Sequence, residues 1–439
     1  MYRFCPFYFT FDTVAIPVIT FQIESPLVQP YSWVLQELGR WAGFRASVVE
    51  EGGEVVVAEW GMADIQVSHF FRNHYVHGDF AHEVIFSKEP LHYCANGKPD
   101  YLSTCFYMLA CLQEYSDFVP DRFGRFPYAG SWQERFECVA ENWVARYFSL
   151  ILESVPLLQE KVGLPQRRSR VLLTHDIDTL RGAYTEQRKG LLKKMRIGTL
   201  LQLMWQHYFS QSDYSRLDKI LAIEDEHDAR SVFFWLTEQG RSRSGIEHAD
   251  YGIEEPLVRQ QLDLIRSRGW ENGLHKSAKR STYAEEWEAL QGHFGVFANR
   301  NHYLRLQIPN TFRQMETAGV QLDASLGFAE ISGFRAGYGS AFQPFDAKTQ
   351  KPFDFIEVPL LIMDTTFRYY RKQDASAAGK HIIEILDNNK ANATFSILWH
   401  NNYFFDRLEP GWLQVYKDVL VWMREHQVTS VLPSQLVDA

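Results

Sequence analysis

The C-terminal part of the chain alternates between short apolar runs and stretches with helical spacing. Seven runs have the length and composition of strands: VLLT (171–174), SVFFWL (231–236), WENGLH (270–275), LDASLGF (322–328), FIEVPLLIMD (355–364), ATFSILWH (393–400) and TSVL (429–432). Such alternation is typical of β-α-β units, whose strands form a parallel sheet. We therefore predict an α/β fold in which seven strands curl into a distorted (β/α) barrel.

The residues before this region predict a separate and smaller unit. Residues 141–158 have helical spacing and are followed by the segment EKVGLPQRRSR, which is rich in Gly, Pro and Arg. The chain before that linker opens with two strand-like runs, VAIPVITF and EVVVAEW, and turns helical from Tyr101. We predict a small α+β domain over residues 1–165 and the barrel domain over residues 166–439.

Composition excludes several classes of protein. The net charge of -9 disfavours a nucleic-acid binder, which would present a basic face. All five cysteines lie in the first third of the chain without a CxxC spacing, which indicates reduced thiols and a cytoplasmic protein. Asp12 interrupts the apolar N-terminus, and no stretch reaches the roughly 20 apolar residues of a membrane span, so we expect neither a signal peptide nor a transmembrane segment.

The first run of the predicted barrel ends in two aspartates. In such barrels the carboxyl ends of the strands meet at one mouth, where active sites lie. Asp176 and Asp178 are two residues apart and therefore face the same side of a strand. Two adjacent carboxylates repel each other unless a metal ion or a proton intervenes. The alternative is a helix N-cap with a second aspartate in a turn; we favour a metal ligand beside a base because an apolar strand precedes the pair.

Other polar residues follow other runs. His275 is a candidate metal ligand, and His400 is a candidate general acid or base. Asp364 ends its run and is suited to orient a histidine, whereas Arg335 lies between two glycines, as expected of an arginine that projects into a site. His302, in NRNHYLRL, is a further candidate ligand. Each residue alone also has a structural interpretation, but their common placement at predicted strand ends favours one site.

Taken in order, these motifs resemble the polysaccharide deacetylases of carbohydrate esterase family 4. The closest likeness is to a bacterial subgroup whose deacetylase domain follows an additional N-terminal domain, and residues 100–132 resemble that companion domain. The segment THDID resembles the family motif TFDDG, although Ile177 occupies the position of the second family aspartate. The resemblance, which covers roughly residues 170–437, implies that Asp176 is the catalytic base and Asp178 a metal ligand.

The second family motif is HxxxH, in which both histidines bind the metal ion. His275 matches the first histidine, but Lys279 occupies the position of the second. We assign the third donor to His302, because its HYLR sequence resembles that of the subgroup. The resemblance further implies that Arg335 positions the base, that Asp364 orients the acid, and that His400 is the general acid.

The implied activity is the metal-dependent removal of acetyl groups from an N- or O-acetylated carbohydrate. The expected cofactor is a divalent ion, zinc by preference, and the substrate is an acetylated sugar that is free or linked to a lipid or nucleotide. Two alternatives stay open: a hydrolase of a non-sugar amide or imide on the same scaffold, and an inactive barrel that binds a glycan or a partner protein. Lys279 would favour the inactive barrel.

One insertion separates the first two runs of the barrel. Residues 181–209 carry five basic residues between 188 and 196, followed by an apolar stretch. Such a segment suits a lid, or a docking surface for an anionic substrate or membrane surface. From the sequence we favour an ordinary amphipathic crossover helix with a solvated basic face.

Overall fold

The computed structural model describes residues 16–437 apart from residues 194, 244, 291–294 and 406–408, and leaves out the side chains of 185 and 186. Cys5, Asp12 and the first two residues of the predicted run VAIPVITF therefore lie outside the described residues. In the described part, no helix combines the length and the apolar character needed to cross a membrane.

The N-terminal region contains a small parallel sheet with strand order β2-β1-β3-β4. Its strands are β1 (Val18–Glu24), β2 (Arg45–Val49), β3 (Val55–Ala58) and β4 (Ile65–Gln66). Its helices are α1 (Val28–Ala42), α2 (His69–His77), α3 (His82–Ile85), α4 (Tyr101–Leu109), α5 (Trp132–Arg135), α6 (Trp143–Ser154) and α7 (Pro156–Lys161). The two predicted strand runs correspond to β1 and β3. We did not predict β2 and β4, which are short and contain no long apolar run.

A larger parallel sheet follows, with strand order β12-β9-β8-β7-β6-β5-β14-β13 and with β15 beside β5. Its strands are β5 (Arg170–Ile177), β6 (Ser231–Trp235), β7 (Glu271–Lys276), β8 (Ala298–Asn301), β9 (Leu322–Asp323), β12 (Ile356–Glu357), β13 (Leu360–Met363), β14 (Thr394–Leu398) and β15 (Thr429–Ser430). A separate antiparallel pair consists of β10 (Phe345–Asp346) and β11 (Lys351–Pro352).

Helices alternate with these strands, as the sequence pattern predicted. They are α8 (Ala183–Lys193), α9 (Ile197–Phe209), α10 (Leu217–Asp225), α11 (Pro256–Ser267), α12 (Tyr283–Glu288), α13 (Asn310–Ala318), α14 (Ala375–Asn388), α15 (Trp412–Glu425) and α16 (Pro433–Val437).

The larger sheet curls until its two ends meet at one stretch of chain. β12 pairs with β9 at one end of the strand order, and β13 pairs with β14 at the other. Only Val358 and Pro359 separate β12 from β13, so residues 356–363 contact both ends. This curvature agrees with the predicted barrel-like α/β fold.

The strand count differs from the seven that we predicted. The run 355–364 is divided into β12 and β13, and β8 was not predicted at all. The sequence of β8 is ANRN, whose polar side chains are buried inside the protein. A search for apolar runs therefore could not find this strand.

The interior of the curled sheet is apolar at its base. Leu172, Val232, Phe234, Ala298 and Leu322 pack together there. Gly273 on β7 makes room for this packing, because a Cβ atom at that position would lie 2.5 Å from the Phe234 ring. Asp176 on β5, His275 on β7 and Asn301 on β8 lie farther along the strands, toward their carboxyl ends. The sheet therefore supplies a packed base and a polar mouth, as in other parallel barrels.

Candidate active site

Polar side chains from five strands meet at the mouth of the curled sheet. Asp176 and Asp178 come from the end of β5, His275 from β7, His302 from the residue after β8, and His400 from two residues beyond β14. These five residues line a cleft of about 760 Å³. Asp364, directly after β13, is buried beside His400. The strand ends thus bring together side chains that are up to 224 positions apart in sequence.

Three of these residues are arranged as a metal-binding cluster. Asp178 Oδ1 lies 3.3 Å from His275 Nε2 and 3.6 Å from His302 Nε2. One potential ligand atom from each residue lies within 4.8 Å of the others. They are the three residues that we expected to bind metal, and the spacing leaves room for an ion between them.

Asp176 borders this cluster, as the two-residue periodicity of a strand predicted. Its Oδ2 lies 3.5 Å from His275 Nε2. His175, the residue before it, points to the opposite side of the sheet, where its Nε2 contacts Glu224 Oε1 at 2.9 Å. Asp176 Oδ1 is buried and has no hydrogen-bond partner among the described residues.

The histidine nitrogens of the cluster are set up to donate electron pairs. Nδ1–H of His275 donates to the carbonyl oxygen of Arg300 at 3.0 Å, so Nε2 is the atom that faces the cleft. Burial opposes a charge on His275, but the carboxylates of Asp176 and Asp178 raise its pKa, so these carboxylates favour a cation at this place, either a proton on Nε2 or a metal ion bound to it. Burial lowers the pKa of His302 to about 3, which leaves that imidazole neutral.

The carboxylate of the cluster is ionised and lacks a hydrogen bond. Burial opposes ionisation of Asp178, but His302, His275 and His400 together hold its pKa well below the usual range. Its Oδ1 has no hydrogen-bond partner in the described part of the chain, although a buried carboxylate oxygen normally has one. One oxygen and two imidazole nitrogens are suitable ligands for a divalent transition metal, so these residues fit a metal centre.

Lys279, which replaces the second histidine of the HxxxH motif, does not enter the cluster. Its Nζ lies 3.1 Å from Glu238 Oε2. His302 is next to His275 instead, with 4.9 Å between the ring centroids. The cluster therefore still has three potential metal ligands, although Lys279 replaces the second histidine of the motif.

His400 and Asp364 form a hydrogen-bonded pair beside the cluster. Nδ1–H of His400 donates to Asp364 Oδ1 at 2.7 Å, and His400 Nε2 lies 3.7 Å from Asp178 Oδ2. Burial opposes protonation of His400, but Asp364, Asp178 and Asp176 raise its pKa to about 10. A protonated imidazole held by a carboxylate is the arrangement expected of a general acid.

Arg335 does not lie where we expected it. Its Nε and Nη2 donate to the two oxygens of Glu114 at 2.8 and 2.6 Å, and the side chain is buried between the barrel and the N-terminal region. The flanking glycines have a packing role, because a Cβ atom at Gly333 would lie 2.4 Å from the Val139 carbonyl oxygen. The glycines that appeared to expose Arg335 instead permit close approach of this loop to the N-terminal region.

The arginine beside Asp176 is Arg300, which sequence reasoning missed. Its Nε lies 3.6 Å from Asp176 Oδ1, and its Nη2 donates to Thr174 Oγ1 at 3.0 Å. Arg300 is fully buried, and its Nε and Nη1 have no hydrogen-bond partner within the described ranges. The signal that could have located Arg300 was its position two residues before His302, on a strand whose polar composition concealed it.

The N-terminal region also contacts the segment that carries His302. Arg125 Nη1 donates to the Tyr303 carbonyl oxygen at 2.9 Å, and Arg305 Nε donates to the Phe123 carbonyl oxygen at 2.9 Å. Tyr303 and Leu304 have left-handed backbone conformations, with φ of 62° and 52°. Such conformations are uncommon for bulky residues and persist where the surroundings enforce them. The loop 121–125 thus braces the backbone next to a potential metal ligand.

Comparisons with known proteins gave a family match within the N-terminal region and a similarity to a solved structure. A model described as a family of unknown function, DUF7033, matches residues 53–160. No curated protein matches the chain. The crystal structure of Puue allantoinase is similar at a TM-score of 0.40 and 15% sequence identity, with 62% of this chain and 90% of that chain covered. The site described above is therefore interpreted from its own geometry.

Proposed function

We propose that this protein is a metal-dependent hydrolase that removes acetyl groups from an N- or O-acetylated carbohydrate. The observation that carries the proposal is the cluster of Asp178, His275 and His302, with Asp176 and His400 beside it. A divalent ion held by these three residues, for which zinc suits the two imidazole donors, would polarise an acyl carbonyl and lower the pKa of a water molecule.

Asp176 is the proposed general base. Its Oδ2 lies 3.5 Å from His275 Nε2, beside the three potential ligands, so this oxygen is placed to take a proton from the attacking water. The other oxygen, Oδ1, is buried, and Arg300 Nε lies 3.6 Å from it. In this proposal Arg300 holds the Asp176 carboxylate in place, which is the positioning role that we first assigned to Arg335.

His400 is the proposed general acid. The hydrogen bond from Nδ1 to Asp364 fixes the ring so that the protonated Nε2 faces the cleft. In that position it can protonate the departing amine or alcohol as the carbon–nitrogen or carbon–oxygen bond breaks. Base and acid therefore both border the three potential ligands.

The lining of the cleft supports a carbohydrate substrate. Phe123, Tyr303, Tyr369 and Tyr370 line it beside the polar cluster, and they supply flat apolar surfaces next to hydrogen-bonding groups. The order of the motifs along the chain also resembles that of the polysaccharide deacetylases. We place the protein in the cytoplasm because the described cysteines are free and buried.

Acetate release tests this function. Purified protein, stripped of metal and reloaded with zinc, is assayed against a panel of N- and O-acetylated sugars that includes nucleotide- and lipid-linked forms, with cyclic imides in parallel. We expect zinc-dependent acetate release that is lost in Asp176→Asn and kept in Lys279→Ala. Imide hydrolysis without acetate release would contradict the carbohydrate assignment, and failure to bind any divalent ion would contradict the hydrolase itself.

A further inference from the structure

The helices α8 and α9 pack against each other and form a hairpin between β5 and β6. From the sequence we favoured an amphipathic crossover helix here, which would turn its apolar side toward the core. The structure differs, because apolar side chains of this hairpin face solvent. The largest exposed fractions are those of Met195 at 82%, Phe209 at 76% and Tyr208 at 64%.

The exposed apolar residues of α9 form one continuous stripe. Ile197, Leu201, Met204, Trp205 and Tyr208 are all exposed, and their spacing places them on one side of a helix. An adjoining side of α9 already contacts the core through Leu203 and Leu200. The outward stripe is therefore additional to the surface that holds the helix in place. Contiguous exposed apolar surface of this kind marks an interaction site.

The charge of the hairpin is opposite to that of the chain. Residues 183–209, which span both helices, contain five Lys or Arg residues and one Glu, a net charge of +4, although the whole chain has a net charge of -9. Arg188, Lys189 and Lys193 are exposed. Within the described ranges, none of these three has a carboxylate partner.

We propose that α8 and α9 dock the protein onto a membrane surface that contains anionic lipid. A basic segment beside an apolar stripe with Trp and Tyr is the composition of helices that lie in the membrane interface. Lys and Arg near an anionic bilayer are attracted to its negative surface potential. The same positive charge disfavours a second copy of the chain as the occupant, because a symmetric contact would bring two such patches together.

The hairpin also lies next to the cleft. α8 begins five residues after Asp178, and Gly182, just before the helix, lines the cleft. Gln187 on α8 contacts Glu409 Oε1 at 3.1 Å, which ties the hairpin to the barrel. Docking through α9 would therefore bring the rim of the cleft to the membrane surface. This inference does not depend on the reaction that the cleft catalyses.

Vesicle sedimentation with the full-length protein tests the proposal. We expect binding to phosphatidylcholine vesicles that contain 30% phosphatidylglycerol, weaker binding at 0.5 M salt, and little binding to phosphatidylcholine alone. The variant Leu201→Ser/Trp205→Ser/Tyr208→Ser should lose binding by at least ~10-fold, because it removes the apolar stripe. The variant Arg188→Gln/Lys189→Gln should lose about fivefold per residue on anionic vesicles.

The matched control replaces exposed apolar residues elsewhere on the surface. Met62, Val76 and Val119 are exposed by 100%, 68% and 86%, and the variant Met62→Ser/Val76→Ser/Val119→Ser should bind vesicles like the unmodified protein. Circular dichroism establishes that each variant is folded. Absence of binding to anionic vesicles, or an equal loss in the control, would overturn the proposal. Self-association in the absence of vesicles that the hairpin variant abolishes would assign the face to a second copy and overturn it as well.

Discussion

Two buried clusters of charged residues in this protein differ in whether their polar atoms have partners. At the contact between the N-terminal region and the barrel, Arg335 and Glu114 form a two-point ion pair. At the mouth of the barrel, Asp176 Oδ1, Asp178 Oδ1, Arg300 Nε and Arg300 Nη1 are buried without a hydrogen-bond partner among the described residues. Both places contain charged groups with buried polar atoms, but hydrogen bonding is complete only in the first.

This difference separates a structural role from a functional one. A buried ion pair whose groups are all bonded holds two parts of a chain together, and it offers nothing to a ligand. A buried polar atom without a partner carries a cost in stability, which is retained where a ligand supplies the missing interaction. We therefore interpret the Arg335 cluster as a structural contact and the Asp178 cluster as a binding site.

The largest expected effect comes from the isosteric change Asp178→Asn. It removes the ionised ligand, and we expect affinity for zinc to fall by more than ~100-fold, since even outer partners of metal ligands are worth 10–100-fold. The free energy of unfolding of the metal-free protein should also fall, because the histidines that hold the pKa of Asp178 low lose their negatively charged partner. Metal analysis and urea unfolding measure the two quantities. Unchanged zinc affinity in this variant would contradict the interpretation of the Asp178 cluster as a metal-binding site.

The change His400→Gln should affect turnover without affecting metal binding. We expect kcat for acetate release to fall by about 10²–10⁴-fold, the usual contribution of a general acid, while zinc affinity stays within a few-fold. Asp364→Asn should lower kcat by a smaller factor, because His400 remains but loses the carboxylate that orients its ring. A loss of zinc together with kcat would instead place His400 among the ligands.

The change Glu114→Ala should affect stability without affecting metal binding. It leaves the buried Arg335 guanidinium unpaired, and we expect the free energy of unfolding to fall by about 3–5 kcal/mol. The exposed pair Arg216–Asp218 provides the control, and Asp218→Ala should cost less than ~1 kcal/mol. Urea unfolding of both variants checks this prediction. Similar losses in the two variants would show that the Arg335–Glu114 pair contributes little to stability.

The smallest expected effect tests the link between the two regions. Arg125→Lys keeps the charge but loses the planar group that contacts both Asp121 and the Tyr303 carbonyl oxygen. We expect zinc affinity to fall by about tenfold, because the backbone next to His302 is less firmly held. Arg122→Lys, on the same loop but exposed, is the matched control and should leave affinity unchanged. Equal zinc affinities in the two variants would show that the contact of Arg125 with the Tyr303 backbone does not contribute to metal binding.

The sequence predicted those parts of the site that follow apolar strands. Asp176, Asp178, His275 and His400 come after runs such as VLLT and ATFSIL, which are recognisable because buried parallel strands are apolar along their length. Arg300 follows no such run, since β8 has the sequence ANRN, and His302 was identified mainly through a resemblance. Arg335 was placed in the site because glycines flank it, whereas those glycines serve close packing that involves residues far away in sequence.

The hairpin α8–α9 shows a second limit of sequence analysis. The basic and then apolar composition of residues 181–209 favoured one crossover helix, whereas the structure contains two helices there. Composition alone does not reveal whether an apolar side faces the core or the solvent. Leu203 faces inward, and the stripe that contains Trp205 faces outward. That distinction depends on which elements pack beside α9, so it required the structure.

Diffraction with anomalous scattering at the zinc absorption edge tests the metal centre most directly. We predict a single strong peak at the mouth of the barrel, about 2.0–2.2 Å from one oxygen of Asp178 and from Nε2 of both His275 and His302. Asp176 should lie beside this position with one oxygen facing the cleft. A zinc-soaked crystal with no peak at this position, or with its peak on other residues, would contradict the assignment of these residues as a metal centre.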